Sequence, residues 1–233
     1  MSQGWESRAE QWLGWARTPG HDAYWDYRGA FFDLLPPADG PVLEVGCGEG
    51  RVCRDLAARG YRVTGLDASQ TLVAAAGERD PGGEYVVGRA EALPFADAAF
   101  KHVVAYNSLM DVEDMPRAVT EAARVLRAGG HFCGCVTHPF ADAGDWEHDA
   151  GDVRFVVADS YLEPAAFNVT VERAGLTMTF DGKRLPLESY ARAFEAAGLM
   201  IEAMREPAAP RGARGEDRWT RLPMFLFFRT VKP

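Results

Sequence analysis

"VLEVGCGEGR", residues 42–51, sets a short apolar run against three glycines spaced two apart, Gly46, Gly48 and Gly50, with Glu44 inside the run and Cys47 between the first two glycines. A strand that breaks into Gly-x-Gly-x-Gly and reopens as a helix puts bare backbone N–H groups at the carboxyl edge of a sheet. Only residues without Cβ let a ligand come that close to the main chain. Gly50 reads as a helix–sheet packing position rather than a ligand position. The turn predicts a nucleotide-like ligand carrying an anionic group.

The spacing also excludes two common nucleotide turns. A dinucleotide fingerprint needs a glycine where this chain has Arg51, and a phosphate P-loop needs a Gly-Lys-Ser or Gly-Lys-Thr that does not follow. The next strand, in "VTGLDAS" (residues 63–69), ends on Asp67, where a carboxylate accepts hydrogen bonds from both hydroxyls of a ribose. The pair of features predicts a nucleoside without a pyrophosphate.

Outward from this unit the chain alternates. Val42–Val45, Arg62–Leu66, Glu84–Val87, His102–Tyr106 and His131–Val136 read as strands, with helices over Arg51–Arg59, Gln70–Ala76 and Pro116–Leu126, the last stopping before Gly129-Gly130. Alternating β and α units imply a parallel sheet with helices on both faces and ligands beyond the strands' carboxyl ends. Two amphipathic patterns precede the first strand, through Trp5, Ala9, Trp12 and Ala16 and through Tyr24, Tyr27, Phe31 and Leu34. Later, "NVTVERAGLTMTF" (168–180) alternates like a hairpin, a helix covers Glu188–Ala197, and Met200–Arg205 and Met224–Val231 are strands. Between these last strands, the Pro- and Gly-rich segment 206–223 reads as a mobile loop.

The 233 residues carry 34 acidic and 25 basic side chains, a net charge of −9, and no concentrated basic stretch, which argues against a nucleic-acid partner. Cys47, Cys53, Cys133 and Cys135 fall inside apparent elements, as buried free thiols of a reducing compartment do. Residues 1–10 lack a basic leader and an apolar core, and no stretch has the length of a membrane span, so a cytoplasmic location without membrane contact is expected.

Taken together, "LEVGCGEG", "GLDAS", "GRAEALPFADAAF" (88–100) and "VVAYNSLMDVEDMPRAVTEAARVLRAGG" (103–130) resemble the class I S-adenosylmethionine-dependent methyltransferases, in the branch containing quinone and natural-product enzymes. The resemblance covers about Val42 to Val136. It implies an α/β, doubly wound Rossmann-like sheet of seven strands, mostly parallel with an antiparallel C-terminal strand, plus N-terminal helices and a small lid. The expected organisation is one domain over 1–233, with a helical cover over 1–36 and an inserted substrate cover over 138–185.

By this resemblance S-adenosylmethionine is the cofactor and S-adenosylhomocysteine its product. Gly46, Cys47 and Gly48 would hold the methionine part, Asp67 the ribose, and Ala68 the adenine face, while Tyr106 closes the site near the sulfonium. Tyr24 and Arg28 belong to the region that folds over the cofactor in relatives. Relatives often read Gly-Asp-Ala where this chain has Gly88-Arg89-Ala90, so the adenine edge falls to Glu91 or to the backbone at Ala90. Glu44 either anchors the glycine loop or touches the cofactor's amino group.

The implied activity is methyl transfer to a small, largely apolar or aromatic acceptor, with O-, C- and N-methylation open and the protein a monomer or homodimer. The rival readings are a nucleoside-binding module without catalysis and a nicotinamide oxidoreductase. If the acceptor must lose a proton, His138 leads as the base because it directly follows a strand's carboxyl end, with Asp111 second. His138 also fits a hydrogen-bonded structural role, and Asp111 to Asp114 also fit helix-start chemistry. His138, Asp142, Asp145 and His148 match no fixed ligand spacing and read as a solvated loop, so no metal is expected.

Overall fold

The computed structural model describes residues 3–149, 152–158 and 160–233, and the side chains of all of these except residues 3, 148, 149 and 152. Two helices, α1 (Gln3–Arg17) and α2 (Tyr24–Phe32), precede β1 (Pro41–Val45), α3 (Arg51–Ala57), β2 (Arg62–Asp67), α4 (Gln70–Arg79) and β3 (Glu84–Val87). There follow β4 (Phe100–Tyr106), α5 (Met115–Val125), β5 (Leu126–Thr137), a hairpin of β6 (Asp145–Asp149) and β7 (Asp152–Val156), and a second hairpin of β8 (Ala165–Arg173) and β9 (Leu176–Arg184). The chain continues through α6 (Leu187–Ala196), β10 (Met200–Arg205), α7 (Glu216–Trp219) and β11 (Phe225–Val231).

Among the described residues seven strands form the main sheet in the order β10-β11-β5-β4-β1-β2-β3. The pairs β5-β4, β4-β1, β1-β2 and β2-β3 are parallel, and β11 runs antiparallel to both its neighbours. This is the Rossmann-like sheet with one reversed C-terminal strand that the sequence predicts.

Both faces are buried, as parallel sheets require. Alternation along the strands divides the core: Leu43, Val103, Phe132, Leu226 and Phe228 pack toward α5 and α6, while Val42, Val104, Phe225 and Phe227 pack toward α2 and α3. Helix starts are fixed locally. Ser69 caps α4 by accepting from Leu72 N at 3.2 Å, and Asp114 caps α5 by accepting from Arg117 N at 3.0 Å, with Pro116 in the first turn.

Three segments differ from expectation. Gly129-Gly130 does not break the chain but lies inside β5, because Gly129 N and Gly130 O bond Lys232 across the sheet edge at 2.8 and 2.9 Å. A Cβ on Gly130 would sit 2.6 Å from Lys101 O, so close backbone approach explains the glycine. The stretch read as a solvated loop after Thr137 instead forms a one-turn helix, Ala141–Ala143, and the β6-β7 hairpin, held by Trp146 against Phe155. Segment 206–223 is not structureless: Trp219 of α7 packs edge-on against Trp146 at 6.0 Å. Helices α3 and α4 also end two residues earlier and three later than the sequence spacing implied.

Candidate active site

The turn after β1 is left-handed at each of its glycines, with φ of +74° at Gly46, +54° at Gly48 and +80° at Gly50. Each missing Cβ is matched by a protein neighbour. A side chain at Gly46 would collide with Ser108, one at Gly48 would lie 3.0 Å from Trp12 Nε1, and one at Gly50 would lie 2.9 Å from the Tyr85 ring. Gly50 is thus the packing glycine expected. The expectation of bare N–H groups needs correction: Gly46 N and Cys47 N both donate to Leu66 O, at 2.7 and 3.0 Å, and Gly48 N donates to Asp67 Oδ2 at 2.8 Å. Asp67 Oδ1 accepts from Ser69 N at 2.9 Å, so this one carboxylate ties the turns after β1 and β2 together.

Beyond these turns, at the carboxyl edge of β1, β2 and β4, opens a cavity of about 590 Å³. Of the residues singled out from sequence, Tyr24, Glu44, Gly46, Cys47, Gly48, Asp67, Ala68, Ala90, Glu91, Tyr106 and Asp111 line it together. Arg28 and His138 do not. Arg28 turns outward to Asp55 Oδ2 at 2.8 Å, which also accepts from the Tyr24 hydroxyl at 2.5 Å. His138 is buried with Nε2 2.9 Å from Glu206 Oε1 and Nδ1 accepting from Phe140 N at 3.1 Å, so both ring nitrogens are engaged away from the cavity.

Buried polar atoms face this space. Glu44 Oε2 and the Tyr106 hydroxyl have no hydrogen-bond partner among the described residues. Burial, reinforced by the charge of Asp67, pushes the Glu44 carboxyl up to about 8. Burial raises the Asp67 carboxyl too, against the backbone N–H bonds that hold it down. Glu91 Oε1 accepts from Glu113 N at 2.8 Å and thereby pins the turn after β4, while Arg89 reaches Glu113 at 2.8 Å.

The acidic stretch after β4 divides its labour: Asp114 caps α5, whereas Asp111 lines the cavity, where burial first, then the charge of Asp142, lifts its carboxyl well above the ordinary range. Asp142 belongs to the same cavity. Its Oδ2 accepts from the Thr137 hydroxyl at 2.5 Å, and burial pushes it up to about 6. The sequence places Asp142 in a solvated loop, and its distance along the chain from the glycine turn hides its place in the cavity. Asn107, left-handed at φ +50° between Tyr106 and Ser108, is a second lining residue that sequence missed, and a polar residue ending a strand before "SLMD" was the available signal. Among the described residues no group of three His, Cys, Asp or Glu side chains is placed to hold a metal ion, and the His148 side chain lies outside those described.

The roof comes from α1, α2 and the β8-β9 hairpin. Trp5, Trp12, Trp15, Phe167, Val169 and Phe180 give it an apolar inner surface. It is fastened at three places. Glu6 accepts from the hydroxyls of Ser69 and Thr71 at 2.5 and 2.6 Å; Arg8 pairs with Asp181 at 3.2 Å; and Arg51, stacked over Trp12 and Tyr24, pairs with Asp22 at 2.7 Å.

Residues 43–134 match the family model described as a methyltransferase domain. A crystal structure of an S-adenosylmethionine-dependent methyltransferase from Mesorhizobium loti superposes with a TM-score of 0.74 at 25% identity, covering 90% of this chain and 98% of that one. In sequence and in fold the chain is similar to the class I S-adenosylmethionine-dependent methyltransferases. It is 35% identical over 119 residues to the phthiotriol/phenolphthiotriol dimycocerosates methyltransferase of Mycobacterium leprae, 48% of this chain and 43% of that protein. It is 37% identical over 157 residues to the fatty-acid O-methyltransferase of Mycolicibacterium smegmatis, 65% of this chain and 55% of that protein. The chain thus spans about half the length of these curated methyltransferases. Among the described residues no helix is long and apolar enough to cross a membrane.

Proposed function

We propose that this protein transfers a methyl group from S-adenosylmethionine to a small acceptor with a largely apolar body. One observation carries the reading: a single cavity joins the glycine turn and Asp67 on one side to a wall of tryptophan, phenylalanine and valine side chains on the other. A cavity of this size and mixed lining suits a nucleoside-linked amino acid next to an apolar molecule. The names of the two curated relatives, a phthiotriol/phenolphthiotriol dimycocerosates methyltransferase and a fatty-acid O-methyltransferase, support an apolar acceptor.

The cofactor fits the residues present. Asp67 would take the ribose hydroxyls with its remaining lone pairs, the backbone of Gly46, Cys47 and Gly48 the methionine part, and Ala68, Ala90 and Glu91 the adenine. Glu44, neutral at pH 7 and with one oxygen unpartnered, is placed for the amino group. When bound, S-adenosylmethionine supplies an electrophilic methyl carbon on a good leaving group. The chain's task is then to align the acceptor within about 3 to 3.5 Å and to exclude water. Tyr24 and Tyr106, edge-to-face at 5.3 Å, wall that region. For an acceptor that must lose a proton, Asp142 and Asp111 replace His138 as the bases, since both face the cavity and burial has moved them toward neutrality.

Helices α1 and α2 and the segment 138–185 are the substrate cover, on one domain running through the chain. We assign no nucleic acid, metal or membrane partner, and a cytoplasmic monomer or homodimer suits the acidic surface. Thermal-shift comparison of S-adenosylmethionine, S-adenosylhomocysteine and NAD, followed by transfer of a labelled methyl group to matched lipid and aromatic acceptors, tests the reading. Stabilisation by the two adenosyl compounds alone, with labelled product, is expected. Binding without transfer to any acceptor supports a nucleoside-binding module, and stabilisation by NAD an oxidoreductase.

A further inference from the structure

Arg173 ends β8 and lines the cavity. Its Nη1 donates to His21 O at 2.8 Å, and its guanidinium carbon lies 5.2 Å from the centre of the Trp15 ring, which stands edge-on to Phe180 at 5.7 Å. A guanidinium presents five N–H donors. Among the described residues, that single carbonyl is its hydrogen-bond partner and no carboxylate lies within ion-pair distance.

Neighbouring charges do not supply the missing anion. Asp22, whose charge favours the Arg173 cation, pairs through Oδ2 with Arg51 at 2.7 Å and makes no ion pair with Arg173. Arg214, from the loop before α7, adds a second positive charge whose repulsion reinforces the desolvation of Arg173. The same two arginines help to depress His21, after desolvation, so this corner of the site is electropositive in an otherwise acidic protein. By contrast, the other arginines that fasten the roof are matched: Arg51 with Asp22, Arg8 with Asp181, and Arg17 with the buried Glu49. A half-buried, desolvated cation facing a cavity is unfavourable unless something bound there neutralises it.

The planar guanidinium fork matches a carboxylate in geometry as well as charge. It is carried by the β8-β9 hairpin, whose other cavity-lining side chains, Phe167, Val169, Val171 and Phe180, are apolar. It is not carried by the turns after β1, β2 or β3 that would hold a nucleoside. We propose that Arg173 anchors a carboxylate belonging to the methyl acceptor, so that the acceptor is an amphipathic carboxylic acid with its apolar body against Trp15 and Phe180. The assignment rests on the methyltransferase reading above.

Calorimetry on protein saturated with S-adenosylhomocysteine tests it, using 3-phenylpropanoate against 3-phenylpropan-1-ol and dodecanoate against dodecan-1-ol. The wild type should bind each acid about tenfold or more tighter than its alcohol. Arg173→Gln should lose that preference, Arg173→Lys should keep part of it, and both should bind S-adenosylhomocysteine like the wild type and unfold as cooperatively. An absent acid preference in the wild type, including no binding of either acid, overturns the proposal, as does a preference that survives Arg173→Gln. So does weakened S-adenosylhomocysteine binding in Arg173→Gln with unchanged methylthioadenosine binding, since the guanidinium then serves the cofactor's own carboxylate. Failure of the wild type to bind S-adenosylhomocysteine refutes the methyltransferase reading instead, and acid binding measured in its absence still decides the role of Arg173.

Discussion

Replacing Glu44 with Gln should stabilise this protein at neutral pH, and the structure sets the size of the effect. Glu44 sits in β1 at 1% exposure, with Oε2 unpartnered among the described residues. Its carboxyl titrates near 4.5 when unfolded and, chiefly through burial, near 8 when folded. The native state therefore binds the extra proton between those values, so stability is full below pH 4.5 and falls as pH rises toward 8. At about 1.4 kcal/mol per pH unit, the loss accumulated by pH 7 is roughly 3 kcal/mol. The glutamine has the same shape and no charge to desolvate. Urea unfolding from pH 4.5 to 8 should show wild type and Glu44→Gln converging at the acid end and separating by about 3 kcal/mol at pH 7. Parallel curves would refute the reasoning. A ligand ammonium close to Glu44 would ionise it, so S-adenosylhomocysteine binding at pH 7 should also release a proton, absent in the variant, that calorimetry in buffers of different ionisation enthalpy can count.

Asp67→Ala should weaken S-adenosylmethionine binding by about 1 to 3 kcal/mol through lost ribose bonds, and wild-type affinity in calorimetry would count against the assignment. For an acceptor that loses a proton, kcat/KM should rise with pH through about 6, where Asp142 gives up its own proton, and Asp142→Asn should lower the rate and flatten that step. An unchanged profile in the variant would shift the role to Asp111. Gly50→Ala places a side chain at φ +80°, 2.9 Å from the Tyr85 ring, and should cost about 1 to 3 kcal/mol in thermal unfolding; a variant as stable as the parent would undo the packing explanation of that glycine.

The sheet was legible because its signals are local. The apolar run Val42–Val45, glycines at Gly46 and Gly48 and an acid at Asp67 all lie within one βαβ stretch, and the structure assembles them as the spacing implies. The acceptor side was harder to read for the opposite reason. Asp142 and Arg173 reach the cavity only through the turn after β5 and the far end of the β8 strand, and Arg173 stands in a pattern that alternation alone labels as a hairpin. His138 misled because its place after a strand's carboxyl end does not say which way the ring points; Glu206, 68 residues later, decides that. The donors of the glycine turn were likewise misjudged, since only the register of β1 against β2 brings Leu66 O within 2.7 Å of Gly46 N.

Helix α1 touches three of the parts that enclose the site: the start of α4 through Glu6, the β9 strand through Arg8 and Gln11, and the glycine turn through Trp12. One rigid beam thus spans the berths proposed for both reactants. Lifting that one helix would therefore open both berths together.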